Sequence, residues 1–436
     1  MFPQVENIAG SKELRNKILF TLAMLVVYRL GIHIPVPGVD GQAVSDFFAN
    51  AENTLFGLFD MFSGGGLSRL SVFALGIMPY ISAAIIFELL VVVSPELERL
   101  KKHEGEAGRK KITQYTRYAT VLITLVQGTG IAFGLQNMSS PTGASVVPDP
   151  GPFFIFTTAI TLSTGTVFIM WLGEQISERG IANGISLIIF AGIVARIPGA
   201  LSKTYRLFTA GEITLFIILI SLAVVIGVLA FICFMETAQR RIPIQYAKRM
   251  MGKRLYGGQS THLPLRVNTA GVIPAIFASS ILMFPATIAN FSNMPWLQEL
   301  SAYFRPGSAA WSVFYAGLII FFCYFYTAII FDPKDIAENL KKQGGFIPGI
   351  RPGKNTKAYI DKVLSRITFW GALYVAAVCV FPMLIMQKLN MPFYLGGTAL
   401  LIVVGVAIDT MSKIQSYLIS NQYEGLMQKS KYKGKF

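Results

Sequence analysis

Charge is scarce in this chain of 436 residues. Asp, Glu, Lys and Arg together make up 14% of it, against about a quarter in an ordinary soluble domain. The three cysteines, Cys233, Cys323 and Cys379, all sit inside apolar runs, which excludes a disulfide framework. The three histidines, His33, His103 and His262, are scattered without metal-ligand spacing, so neither a metal centre nor a haem is expected. No phosphate loop, no nucleophile beside a base and no paired carboxylates are visible, so the chain is not expected to be an enzyme or to carry a cofactor. Ionisable residues within the apolar runs (Arg29, Glu88, Glu174, Glu236 and Asp409) lie toward their ends. A coupled transporter needs a polar or ionic site near the membrane midplane, and none is evident.

What the chain has instead is hydrophobic length. Apolar residues make up 53% of the sequence, in runs of about 20 residues, each enough to cross the hydrocarbon core. We read ten spans, at about 17–33, 71–93, 115–136, 153–173, 182–197, 213–235, 268–289, 311–331, 367–387 and 393–412. The fifth is short and the second is interrupted by Gly76 and Pro79. No small-residue cleavage site follows the first run, so it is expected to persist as a span. Lipid offers no partners to an open backbone, and the period-two pattern of a membrane barrel is missing, so the spans are expected to be helical. The fold class is therefore an all-α polytopic membrane protein.

Most of the 38 Lys and Arg residues fall in the N-terminus, the even-numbered connections and the C-terminal tail. The positive-inside rule then puts both termini and the basic connections in the cytoplasm. The connection at 99–117 needs no further purpose than topology and contact with anionic lipid. Those at 236–266 and 332–366 are longer than connection alone requires. They mix cations with Tyr246, Tyr256, Phe346 and Tyr359, as a docking surface for an acidic protein or for RNA phosphates would.

Ten spans divide into two sets of five, and an odd number per set makes the halves inverted. Such repeats place a transport path between the halves, often at matching helix breaks. Span two reads GIMPYI (76–81) and span seven GVIPAI (271–276); span five reads GISLII (184–189) and span ten GTALLI (397–402). Ile81 thus pairs with Ile276, and Ile189 with Ile402. Isoleucines at such positions either pack helices or form an apolar constriction that dewets and blocks ions. Their matched positions favour the seal.

The segments FSGGGLSRLSVFALGIMPYISAAI, EGEAGRKKITQYTRY, GEQISERGIANGISLIIFAGIVA, QRRIPIQYAKR, NTAGVIPAIFASSI and GGFIPGIRPG, in this order, resemble the SecY/Sec61-alpha family, the channel subunits of Sec protein translocases. The resemblance runs from about residue 11 to the C-terminal tail. It implies a central pore between an N-terminal half (1–200) and a C-terminal half (201–436). The family's pore ring falls on Ile77, Ile81, Ile185, Ile189, Ile276 and Ile402. Val272 and Thr398, the repeat partners of Ile77 and Ile185, stay outside it. The family's plug, a short re-entrant helix, falls on about 57–70, with Phe62, Ser63, Gly64, Gly65, Gly66, Leu67 and Arg69. The lateral gate falls on Ser82, Gln127 and Asn268, with Phe284 nearby. Hydrogen bonds among those polar groups would hold it shut by about 1–2 kcal/mol.

The resemblance further implies docking of the motor ATPase SecA and of ribosomes on Arg240, Arg241, Lys248, Arg249, Lys253, Arg254, Lys334 and Arg351. Lys253 and Lys334 stand where related chains carry arginine, and an ammonium is the poorer bidentate partner. SecE and SecG are the implied companion subunits, SecDF and YidC further partners, and preprotein signal sequences and anionic lipids the implied ligands. The location implied is the cytoplasmic (inner) membrane. The function expected is passage of unfolded preproteins across that membrane and lateral release of transmembrane segments into lipid. A secondary transporter of inverted-repeat fold is the alternative, and a scaffold or insertase that only recruits partners is a third reading.

Overall fold

The computed structural model describes residues 12–44, 55–136, 145–246, 249–251, 254–256, 260–291, 308–388 and 396–433. Each of the ten expected spans contains a helix. Among the described residues, seven helical segments are long and apolar enough to cross a membrane, and an eighth candidate is bent. The chain forms two compact units. One comprises Met1–Thr209, Met283–Pro306 and Gly405–Phe436, and the other Ala210–Leu282 and Gly307–Val404.

In the first unit the helices are α1 (Lys12–Gly31), α2 (Leu55–Phe62), α3 (Met78–Val93), α4 (Pro95–His103), α5 (Gly105–Gln136), α6 (Pro152–Arg179), α7 (Gly184–Val194) and α8 (Ile197–Thr209). Helices α3 and α4 meet at 98°. Ser94 there is extended and precedes Pro95, a residue that disfavours helix in its predecessor. Helix α5 packs on α6 through a face repeating every four residues: Thr116, Thr120, Thr124 and Gly128, all buried. Each threonine hydroxyl donates to the carbonyl four residues back, at 2.8–3.0 Å. The hydroxyls are thus satisfied within their own helix, as lipid requires. The absent side chain of Gly128 leaves room for Ala159, whose Cα would lie 3.3 Å from an added Cβ. Leu122, Val126 and Phe133 on the opposite face of α5 are exposed, as a lipid-facing surface should be.

The second unit holds α9 (Leu215–Thr237), β1 (Gln239–Tyr246), β2 (Arg249–Met251), β3 (Arg254–Tyr256), β4 (Ser260–Arg266), α10 (Ile273–Phe291) as far as Leu282, α11 (Ala309–Ile330), α12 (Pro333–Lys342), β5 (Gly345–Phe346), α13 (Lys354–Lys388) and the start of α14 (Gly397–Lys433). The two long basic connections fold together. Strand β1 pairs antiparallel with β4 on one side and β5 on the other. Ile242 and Ile244 alternate inward with period two. They share a core with Leu265, Leu340, Ile347 and Ile360. This module therefore has a scaffold of its own that can hold its charged edge in place.

Candidate functional site

The interruptions in spans two and seven are helix starts. Span two was expected to be helical from about 71 with a break inside it. Its helix in fact begins at Met78; Ser71 forms an isolated bridge with Pro35, and residues 72–77 form turns. Gly76 has φ +57° and Gly271 φ +65°, a left-handed conformation that favours glycine. Pro79 and Pro274 each occupy the second helical position, where a missing N–H is harmless. Ile81 then donates its N–H to the Ile77 carbonyl at 3.2 Å, and Ile276 donates to Val272 at 3.3 Å. The two segments are built alike.

Spans five and ten repeat a second construction. Gly184 and Gly397 are the first residues of α7 and α14. A Cβ on Gly184 would collide with the Gly173 carbonyl of α6, and one on Gly397 with the Val378 carbonyl of α13. Each glycine lets its helix start directly against the preceding span. Leu187 then donates to the Asn183 carbonyl at 3.0 Å, and Leu400 to Gly396 at 3.2 Å. The isoleucines ride on these four helix starts. Ile77, Ile81 and Ile189 in the first unit and Ile402 in the second are buried, and Ile185 and Ile276 are half-buried.

The segment from Gly57 to Leu70 is helical only as far as Phe62, not throughout. Gly64 (φ +69°) and Gly65 (φ +90°) end α2, in the manner of a left-handed helix terminus. Turns continue to Ile77. This segment packs on α7 of its own unit. Gly64 faces Gly192 so closely that a Cβ on Gly64 would stand 2.8 Å from the Gly192 Cα. The Tyr28 hydroxyl donates to the Ser63 carbonyl (3.1 Å) and the Arg29 guanidinium to the Gly64 carbonyl (3.0 Å). Arg196, at the α7–α8 joint, pairs with Asp60 at 3.2 Å. Phe62, Ser63, Gly64, Gly66 and Leu67 are buried, Gly65 is half-buried and Arg69 is exposed.

The residues expected at the lateral gate divide between the units. Ser82 on α3 and Gln127 on α5 are half-buried. Asn268 is buried, and its amide donates to Glu236 (2.7 Å) and to the Gly271 carbonyl (3.1 Å). Asn268 is thereby tied to the end of α9 and to the turn that starts α10. Arg240, Arg241, Lys334 and Arg351 are exposed on the basic module. Lys248 and Lys253 lie outside the described residues, as do the side chains of Phe284, Arg249 and Arg254. Sequence reasoning missed Tyr28, Asp60 and Arg196 altogether. A signal was available: Asp60 is the single charge in the apolar octapeptide LFGLFDMF.

Helices long and apolar enough to cross a membrane, the same two helix-start constructions in both units and a 57–70 segment held by polar anchors define a polytopic membrane protein built on a repeated plan. The SecY family model matches residues 71–411. Protein translocase subunit SecY of Escherichia coli (strain K12) is 51% identical over 429 residues, covering 98% of this chain and 96% of that one. One solved structure is of a SecY protein whose plug domain stabilises the closed state of the translocation channel and maintains a membrane seal. It has TM-score 0.65 and 18% identity, with 93% of each chain covered. Sec61 in the canine ribosome–channel complex from the endoplasmic reticulum has TM-score 0.61 and 15% identity, again with 93% of each covered. The chain belongs to the SecY family.

Proposed function

We propose that this chain is the channel subunit of a protein translocase, passing unfolded preproteins through an apolar constriction that a plug seals at rest. The supporting observation is the docked 57–70 segment in a chain alike to SecY over nearly its whole length. The ring would consist of Ile77, Ile81, Ile185, Ile189, Ile276 and Ile402, contributed by halves 1–200 and 201–436. Branched apolar side chains offer a passing polypeptide no specific contact and offer ions no solvation. Ser82, Gln127, Asn268 and Phe284 would line a lateral exit for transmembrane segments.

We further infer that both termini and the basic module face the cytoplasm, in the inner membrane of a bacterium. Arg240, Arg241, Lys334 and Arg351 there would receive SecA or a ribosome; the solved Sec61 relative is in a ribosome complex. SecE and SecG would complete the complex. The secondary-transporter alternative is not favoured by family membership. Purification with companion subunits, reconstitution in vesicles and addition of SecA, ATP and a preprotein test the reading. Protease-protected preprotein is expected inside the vesicles, and its absence with active SecA would refute it.

A further inference from the structure

We propose that Asp60 and Arg196 form a latch that sets how readily the plug leaves its docked position, so that these two residues fix the bias between sealed and open channel. Asp60 lies within the plug segment and is 3% exposed, and its two carboxylate oxygens are used differently. Oδ1 accepts the Ser68 N–H at 2.7 Å, closing the plug's own turn. Oδ2 faces the Arg196 guanidinium at 3.2 Å, at the joint where α7 ends and α8 begins. One side chain therefore both shapes the plug and fastens it to a helix that carries Ile185 and Ile189. The other polar anchors, Tyr28 and Arg29, reach backbone carbonyls. Among these described anchors, the Asp60–Arg196 contact is the one that pairs two opposite charges.

A nearly buried carboxylate resists losing its cation, because separating the pair leaves a charge with little access to water in the docked state. Undocking removes that constraint, so plug and latch release together. An opposing bias is built in at the far end of the plug. Leu70 has φ +42°, the only positive φ at a non-glycine position among the described residues. It is held there by burial and by hydrogen bonds to Val36 and Leu67, each at 2.9 Å. Strain of this kind persists only while its surroundings enforce it. Plug release relieves it, and the latch is what the relief works against.

The test uses the full chain, with its companion subunits, in vesicles. Leu67, which is 7% exposed, is replaced by cysteine in a Cys233→Ser background, and labelling by a water-soluble maleimide reports undocking. Asp60→Asn keeps an acceptor for Ser68 but removes the charge. Labelling is expected to quicken by about tenfold, a partly buried charged contact discounted for the partial exposure of Arg196. Arg196→Gln should quicken it at least as much, since it strands a buried carboxylate. The double variant should be no faster than Arg196→Gln alone, because coupled partners do not add. Arg196→Lys should remain near the parent rate, which separates loss of the latch from misfolding. Parent-rate labelling in both single variants, or effects that multiply in the double, would overturn the proposal. The proposal relies on the channel reading only for its consequence, because labelling measures docking whether or not the vesicles import preprotein.

Discussion

Replacing Gly64 by alanine should unseat the plug, and its neighbour Gly65 provides the control. Both glycines have positive φ, so alanine at either costs about 1–2 kcal/mol of backbone strain. They differ in what a methyl group would meet. At Gly65 nothing lies within 4 Å. At Gly64 the added Cβ would stand 2.8 Å from the Gly192 Cα, 3.1 Å from the Tyr28 hydroxyl and 3.3 Å from Arg29. A helix backbone cannot yield as a flexible side chain can, so overpacking adds about 1–3 kcal/mol. Together the two terms weigh about 2–5 kcal/mol against the docked state, at least about 30-fold in the docked-to-undocked ratio. Gly65→Ala should shift it by only about 5–30-fold. Resting conductance of the purified channel in a planar bilayer is the assay, and Gly64→Ala should exceed Gly65→Ala clearly. Equal conductance in the two variants would refute the contact argument, and no change in either would refute docking through Gly64.

Serine at two or more of Ile77, Ile81, Ile276 and Ile402 should raise resting ion leak, read in the same bilayers; unchanged conductance would mean that these side chains only pack helices. Asn268→Ala removes the amide that Glu236 accepts from; leaving that carboxylate short of a donor should lower unfolding stability by about 1–3 kcal/mol, measured by thermal unfolding in detergent. Gly184→Ala and Gly397→Ala should each destabilise the chain in that assay, since both would drive a methyl into a carbonyl of the preceding span. Arg351→Glu should impair motor-driven import while leaving membrane insertion of the chain intact, as followed by vesicle import and by extraction resistance.

Much of this architecture is legible in the residues, although a residue pattern does not always declare its structural role. GIMPYI and GVIPAI do mark matched positions, yet they start helices instead of breaking them. Glycine and proline inside an apolar run look alike in both cases, and only backbone angles at Gly76 and Gly271 distinguish them. The glycines of GISLII and GTALLI each open a helix, as their matched positions suggest, but their role in close approach depends on Gly173 and Val378, which sequence does not place nearby. The sheet in the basic module is masked in the sequence by the cations that precede Ile242 and Ile244. The inward alternation of those two isoleucines was there to be read. Asp60 and Arg196 stand far apart in the chain, so neither declares the other, although a lone acid within LFGLFDMF is costly without a partner.

Cross-linking of a stalled preprotein tests the path of the polypeptide most directly. A preprotein carrying a single cysteine and a folded C-terminal domain is halted midway, and cysteines are placed one at a time at Ile81, Ile402 and, as a lipid-facing control, the exposed Leu219. The channel account predicts disulfides to positions 81 and 402 and none to 219. Cross-links that favour 219, or that spare 81 and 402 while the preprotein is held across the membrane, would contradict it.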